Sequence, residues 1–172
     1  MTDQPRQPRS AAKQSAGLYL EDLFVGQRFT SGTYTMDEDL IKAFATEFDP
    51  QPFHLDGTAA LATVFQGLAA SGWHTAAVKM RLLVTGGLRL GKGIIGLGGD
   101  LTWPNPTRPG DTPHVESEVV EITPSRSKPN QAVVKVKSTI LNQGGNAVYV
   151  FTGKVLVLKR PSKASDGVPL PG

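Results

Sequence analysis

Cysteine is absent from this 172-residue chain, which excludes disulfides and thiolate metal sites and fits a reducing compartment. No apolar run reaches the ~18–20 residues that span a bilayer. The segment 1–17 is polar and rich in Gln, Pro and Ser, without the apolar stretch of a secretory signal. The expectation is a cytoplasmic protein with no membrane partner. Ser, His and Asp are all present, yet no Gly-x-Ser-x-Gly elbow exists, so a serine hydrolase lacks support. His74 and His114 have no second ligand at i, i+4 spacing, and no metal site is expected.

A basic face is also missing, despite a net charge of +3. Residues 1–17 carry a net +2 from Arg6, Arg9 and Lys13 against Asp3, and residues 159–172 another +2 from Lys159, Arg160 and Lys163 against Asp166. What remains between them is close to neutral, which argues against a nucleic-acid partner. Both ends are too poor in apolar residues to offset the entropy of ordering, so 1–17 and 161–172 are expected to be flexible tails around one domain, 18–160.

Within that domain the pattern is strand-like from Gln27 to Thr35. Met36-Asp37-Glu38-Asp39 then opens an amphipathic helix with Leu40, Ile41, Phe44 and Ala45 at three- and four-residue spacing, ending at Phe48. A Pro-rich loop and an Ala-rich stretch, Thr58 to Thr63, precede a longer helical pattern from Gly72 to Val84. Trp73, Ala76, Ala77, Met80, Leu83 and Val84 are its expected buried stripe, and Thr85-Gly86-Gly87 its stop. Strands are predicted at Ile94–Trp103, His114–Ile122, Ala132–Leu141 and Val148–Leu158. A strand, then helices, then consecutive strands on short turns is an α+β order, with an antiparallel sheet burying one face on the long helix. Gly91-Lys92-Gly93-Ile94-Ile95-Gly96 matches G-x-G-x-x-G, but a helix precedes it and a strand follows. A pyrophosphate site needs the reverse order, so these glycines are read as a turn and a bulged strand.

The densest polar cluster is Asp49-Pro50-Gln51-Pro52-Phe53-His54-Leu55-Asp56. Two prolines stiffen the segment, and a carboxylate and an imidazole held on a stiff loop can share one water and exchange protons with it. A purely structural reading has Asp49 capping an amide and His54 packing on Phe53. At Ser71-Gly72-Trp73 the chain enters its longest predicted helix. The Gly72 N–H there is a polarised donor with no Cβ to block a ligand, the form an oxyanion site takes. Ser71 can cap that helix or touch a ligand, and Trp73 can anchor the core or wall a substrate.

Asp49, Gln51, Pro52, His54 and Asp56, with Gly72 eighteen residues after His54, together resemble the MaoC-like dehydratase family, which includes the (R)-specific enoyl-CoA hydratases. The likeness covers roughly residues 20–160, including the Pro109-Gly110-Asp111 turn. It implies a single hot-dog fold, a curved antiparallel sheet wrapped around a central helix. It also implies reversible hydration of enoyl-CoA or enoyl-acyl-carrier-protein thioesters, no cofactor, and a homodimer or higher homo-oligomer. Asp49 and His54 would activate water, Gly72 would bind the thioester oxygen, and Gln51, Ser71 and Trp73 would contact substrate or order the pocket. Three positions depart from the family pattern: Gln51 stands for Asn, Pro50 is added, and Ser71 replaces a common His. Rival readings are a hot-dog acyl-CoA thioesterase and a non-catalytic acyl-thioester-binding subunit.

Overall fold

The computed structural model describes residues 17–162. Most of the two expected tails, 1–16 and 163–172, therefore lies outside the described residues. After a single 3-10 turn, Leu20–Asp22, come strand β1 (Arg28–Thr33) and helix α1 (Glu38–Phe48). The Asp37 carboxylate accepts the Leu40 N–H and Glu38 and Asp39 occupy the first turn of α1, where acidic groups complement the helix dipole. Two short helices follow. Pro52 starts α2 (Pro52–Leu55), and Asp56 caps α3 (Gly57–Leu61) by accepting the N–H groups of Thr58 and Ala59. The long helix α4 (Gly72–Thr85) gives way at Gly86 to four strands, β2 (Ile95–Thr102), β3 (His114–Pro124), β4 (Gln131–Leu141) and β5 (Ala147–Leu158).

All strand pairs are antiparallel, in the order β1-β3-β4-β5-β2. Period-two alternation puts Val115 and Val119 of β3, Val134, Val136 and Ile140 of β4, and Val155 and Val157 of β5 on one face. That face closes on Val78, Leu82 and Leu83 of α4 to form the core. A curved sheet wrapped on one long helix is the hot-dog fold. Register breaks between Gly96 and Gly98, where Gly98 takes φ +111, so the bulge expected in the glycine-rich stretch is present. Among the described residues no helix is long and apolar enough to cross a membrane.

The buried face of α4 differs from the expected one. Of the expected stripe Leu83 is buried and Ala76 half-buried, but Trp73, Ala77, Met80 and Val84 are exposed, and His74, Thr75, Val78, Lys79 and Leu82 are buried instead. Apolar residues occur on nearly every side of this helix, so periodicity does not single out a face, and the polar Thr75 and Lys79 disguise the true one. Trp73, at 61% exposure, is not a core anchor. The most β-branched strands, β4 and β5, are interior, and the edges are the short β1 and the glycine-rich β2.

Candidate active site

The C-terminus of α1, the start of α2 and the start of α4 converge on a cavity of about 500 Å3. Its lining includes Asp49, Gln51, His54, Gly72 and Trp73, with Trp103 and Thr107 from the β2–β3 connection. Pro50 and Pro52 end one helix and begin another, so Asp49 leaves α1 in a non-helical conformation (φ −154, ψ 65) with its side chain free to turn toward α4.

His54 is 4% exposed and fixed at two levels. Its backbone neighbour Phe53 accepts the Ala69 N–H at 3.2 Å, and its own Nδ1 lies 2.7 Å from the Ala69 carbonyl oxygen. A carbonyl can only accept, so Nδ1 carries the proton and Nε2 of the neutral ring holds a free lone pair. That Nε2 faces Asp49 Oδ2 across 3.3 Å. With a proton on Nε2 the contact is an ion pair. Without it, a water can donate one O–H to each partner.

Asp49 is held from both oxygens. The Ser71 hydroxyl donates to Oδ2 at 2.7 Å, and the Gln51 amide donates to Oδ1 at 2.6 Å. Burial pushes its pKa up, but the bonds from Ser71 and Gln51 and the proximity of His54 outweigh that, and the net direction is downward. Asp49 is therefore a carboxylate at neutral pH. Ser71, fully buried, also accepts the Trp73 N–H at 3.2 Å, so one hydroxyl both caps α4 and orients the carboxylate.

The Gly72 N–H makes no hydrogen bond to any described residue and stands at the positive end of α4. A Cβ at Gly72 would meet the Trp103 indole at 2.6 Å, where Trp103 Nε1 donates to the Gly72 carbonyl at 3.1 Å. Packing against Trp103 therefore also excludes a side chain at this position. Trp73 stands edge-on to Trp103 with ring centroids 5.7 Å apart, and together they wall the cavity mouth.

The family model described as MaoC like domain matches residues 24–140. The chain belongs to the MaoC-like domain family. A MaoC-like dehydratase from Rhodospirillum rubrum is 60% identical, with a TM-score of 0.84 over 85% of this chain and 100% of that one. An (R)-hydratase from A. caviae involved in PHA biosynthesis is 30% identical, with a TM-score of 0.63 over 81% of this chain and 99% of that one. The uncharacterized protein YdeM of Bacillus subtilis (strain 168) is 31% identical over 142 residues, 82% of this chain and 98% of that protein.

Three parts of this MaoC-like site escaped sequence reasoning. Trp103 registers only as the end of a strand. Thr107 binds Thr75 through their hydroxyls at 3.1 Å and accepts the Ala70 N–H at 2.8 Å, fixing the approach to α4. Arg108 donates to the carbonyls of Phe65, Gly67 and Leu68, pinning the loop that forms one cavity wall. Each acts across more than thirty residues of chain, and the one local hint was the turn chemistry around Pro104–Asp111. His114 sits apart on β3, near Glu116 at 3.6 Å.

Proposed function

We propose that this MaoC-like protein is an acyl dehydratase that reversibly adds water to a trans-2-enoyl thioester, giving an (R)-3-hydroxyacyl thioester. The observation that carries the reading is the pairing of Asp49 Oδ2 with His54 Nε2 at 3.3 Å, in a cavity that also holds the unbonded Gly72 N–H. Water between the two side chains is polarised by both. As its oxygen attacks C3 the dyad takes one proton, and it returns one to C2, so that H and OH add in full balance. Negative charge moves to the thioester oxygen during attack, and the Gly72 N–H is the donor that meets it. A donor of that kind contributes roughly 3–4 kcal/mol where one has been removed from other enzymes. Gln51 and Ser71 hold Asp49 in place, and Trp73 walls the substrate. The thioester carrier is coenzyme A or an acyl carrier protein.

Hydrolysis of the thioester, the rival chemistry, calls for water aimed at the carbonyl carbon by a carboxylate. The tautomer-fixed His54 beside Asp49 favours proton shuttling to carbon instead. Steady-state assay with crotonyl-CoA separates the readings when enoyl absorbance and free thiol are followed together. Loss of enoyl absorbance without thiol release is expected, thiol release supports a thioesterase, and no change in either supports a binding subunit. We further propose a homodimer, because β2 leaves one side unpaired and exposes Ile95 and Leu97.

A further inference from the structure

Two turns beyond Gly72, α4 turns a lysine inward. Lys79 is 7% exposed and lines a second cavity of about 250 Å3, between α4 and the sheet. Every other residue of that lining is uncharged, chiefly Met80, Leu83, Leu88, Ile94 and Val136 with the rings of Tyr149 and Phe151. Lys79 makes no hydrogen bond or ion pair with a described residue. Its ammonium instead stands 4.3 Å from the Phe151 ring centroid and 5.9 Å from that of Tyr149. Burial alone pushes its pKa down, to about 8, so it is still largely charged at neutral pH. The Tyr149 hydroxyl, on a residue 3% exposed, likewise has no hydrogen-bond partner among the described residues.

This second cavity adjoins the first. Thr75 lines one and Ala76, the next residue of α4, lines the other. The opposite wall runs through an aromatic series, with Trp103 on the first cavity and Tyr149 and Phe151 on the second. Their centroids are 6.4 Å apart from Trp103 to Tyr149 and 6.5 Å from Tyr149 to Phe151. An acyl chain whose thioester oxygen meets Gly72 N–H and which follows α4 would run from the first cavity toward the second. Seven residues of helix advance about 10 Å, and a lysine side chain leans back toward the helix N-terminus. The ammonium then meets the far end of an acyl group of about five to eight carbons.

We propose that Lys79 is a specificity-determining residue that selects acyl thioesters carrying a carboxylate at the far end of the chain. The inference rests on the thioester reading above. A purely apolar tail would leave the buried ammonium without a partner, whereas a carboxylate supplies the missing acceptor and takes a second bond from the Tyr149 hydroxyl.

Binding of saturated thioesters tests this apart from catalysis, since they cannot be hydrated. Isothermal titration would compare glutaryl-, adipyl-, pimelyl- and suberyl-CoA with the methyl-ended acyl-CoA of the same carbon number. The expected result is at least tenfold tighter binding of one or more carboxylated ligands by the wild type, falling to a ratio near one in Lys79→Met and persisting in part in Tyr149→Phe. Equal binding of each pair by the wild type overturns the proposal, and so does a preference that survives in a folded Lys79→Met. If the carboxylated ligands bind preferentially but the matching 2-enoyl thioesters take up no water, the hydratase reading fails while Lys79 keeps its role. If crotonyl-CoA is hydrated and no preference appears, the reverse holds.

Discussion

At Asp49 three neighbours decide what one carboxylate does. Ser71 and Gln51 each donate to one of its oxygens and His54 faces it, so the charge is held although part of its hydration is lost. Asp49→Asn and His54→Ala should each lower kcat/KM for crotonyl-CoA by about 10²–10⁴-fold, with the double variant little worse than either, because the two act as one unit. Full activity in either variant, measured by enoyl absorbance, would count against the dyad. Ser71→Ala removes both an orienting bond and a helix cap. Loss of the cap should cost about 1 kcal/mol in urea unfolding. Loss of the bond should move the acid limb of the activity profile to higher pH, because that bond is one of the forces keeping the Asp49 pKa down. The stability that Asp49 contributes is present above its unfolded pKa and fades as pH falls through its folded value, so the stability gap between wild type and Ser71→Ala should narrow on acidification, read from urea unfolding at neutral and acid pH. Asp49, His54 and Gly72 were legible in the sequence because proline, spacing and a helix start mark them locally. Trp103, Thr107 and Arg108 were not, because nothing near them in the chain announces a partner more than thirty residues away.

Helix α4 joins chemistry to packing: its first residues form the site and its middle fills the sheet's concavity. Its extent was readable from the Ser71 cap and the Gly86 stop, but its rotation was not, since apolar residues surround it. The face it buries can be tested by paired truncations. Leu82→Ala should cost ~2–5 kcal/mol, as loss of a packed core leucine does. Val84→Ala, at a position 47% exposed, should change the unfolding free energy by less than about 0.5 kcal/mol. Equal losses would restore the originally expected face. Lys79 adds a pH signature to the same helix. Its folded pKa of about 8 lies below the unfolded value of 10.5, so the folded state carries the cost of a buried charge below pH 8. That cost, about 3 kcal/mol, is relieved as pH rises toward the unfolded value. Wild type should thus gain stability relative to Lys79→Met between roughly pH 8 and 10.5, read as converging melting temperatures.

For the whole molecule, the strand count and order of elements followed from period-two alternation and turn residues, and the hot-dog architecture from the resemblance to the MaoC-like family. Which strands form the edges did not follow. Edge position depends on the long connection from β2 to β3, which carries the chain from one side of the sheet to the other, and no local pattern encodes that crossing. The free side of β2 is nonetheless where association should occur. Sedimentation equilibrium at micromolar concentration should show at least twice the 18.3 kDa monomer mass. A charged substitution such as Leu97→Lys, at a position 52% exposed, should shift the protein toward monomer. A fully active monomer would remove the case for a dimer.

Arg108 has a consequence of another kind. By gathering the carbonyls of Phe65, Gly67 and Leu68 onto one guanidinium, it makes a cavity wall depend on a single remote side chain, and that wall runs directly into Ala69, whose carbonyl holds His54 Nδ1. His54 thus shares its support with the wall, while Asp49 takes its own from Ser71 and Gln51. Phe65, one of the pinned residues, also packs on Phe53 with ring centroids 4.9 Å apart and stands 6.0 Å from the His54 ring, so a change of length or bulk at 62–66 is felt by the imidazole as well as by the cavity. A cavity wall tied in this way to an imidazole transmits its own rearrangements to the ring it supports.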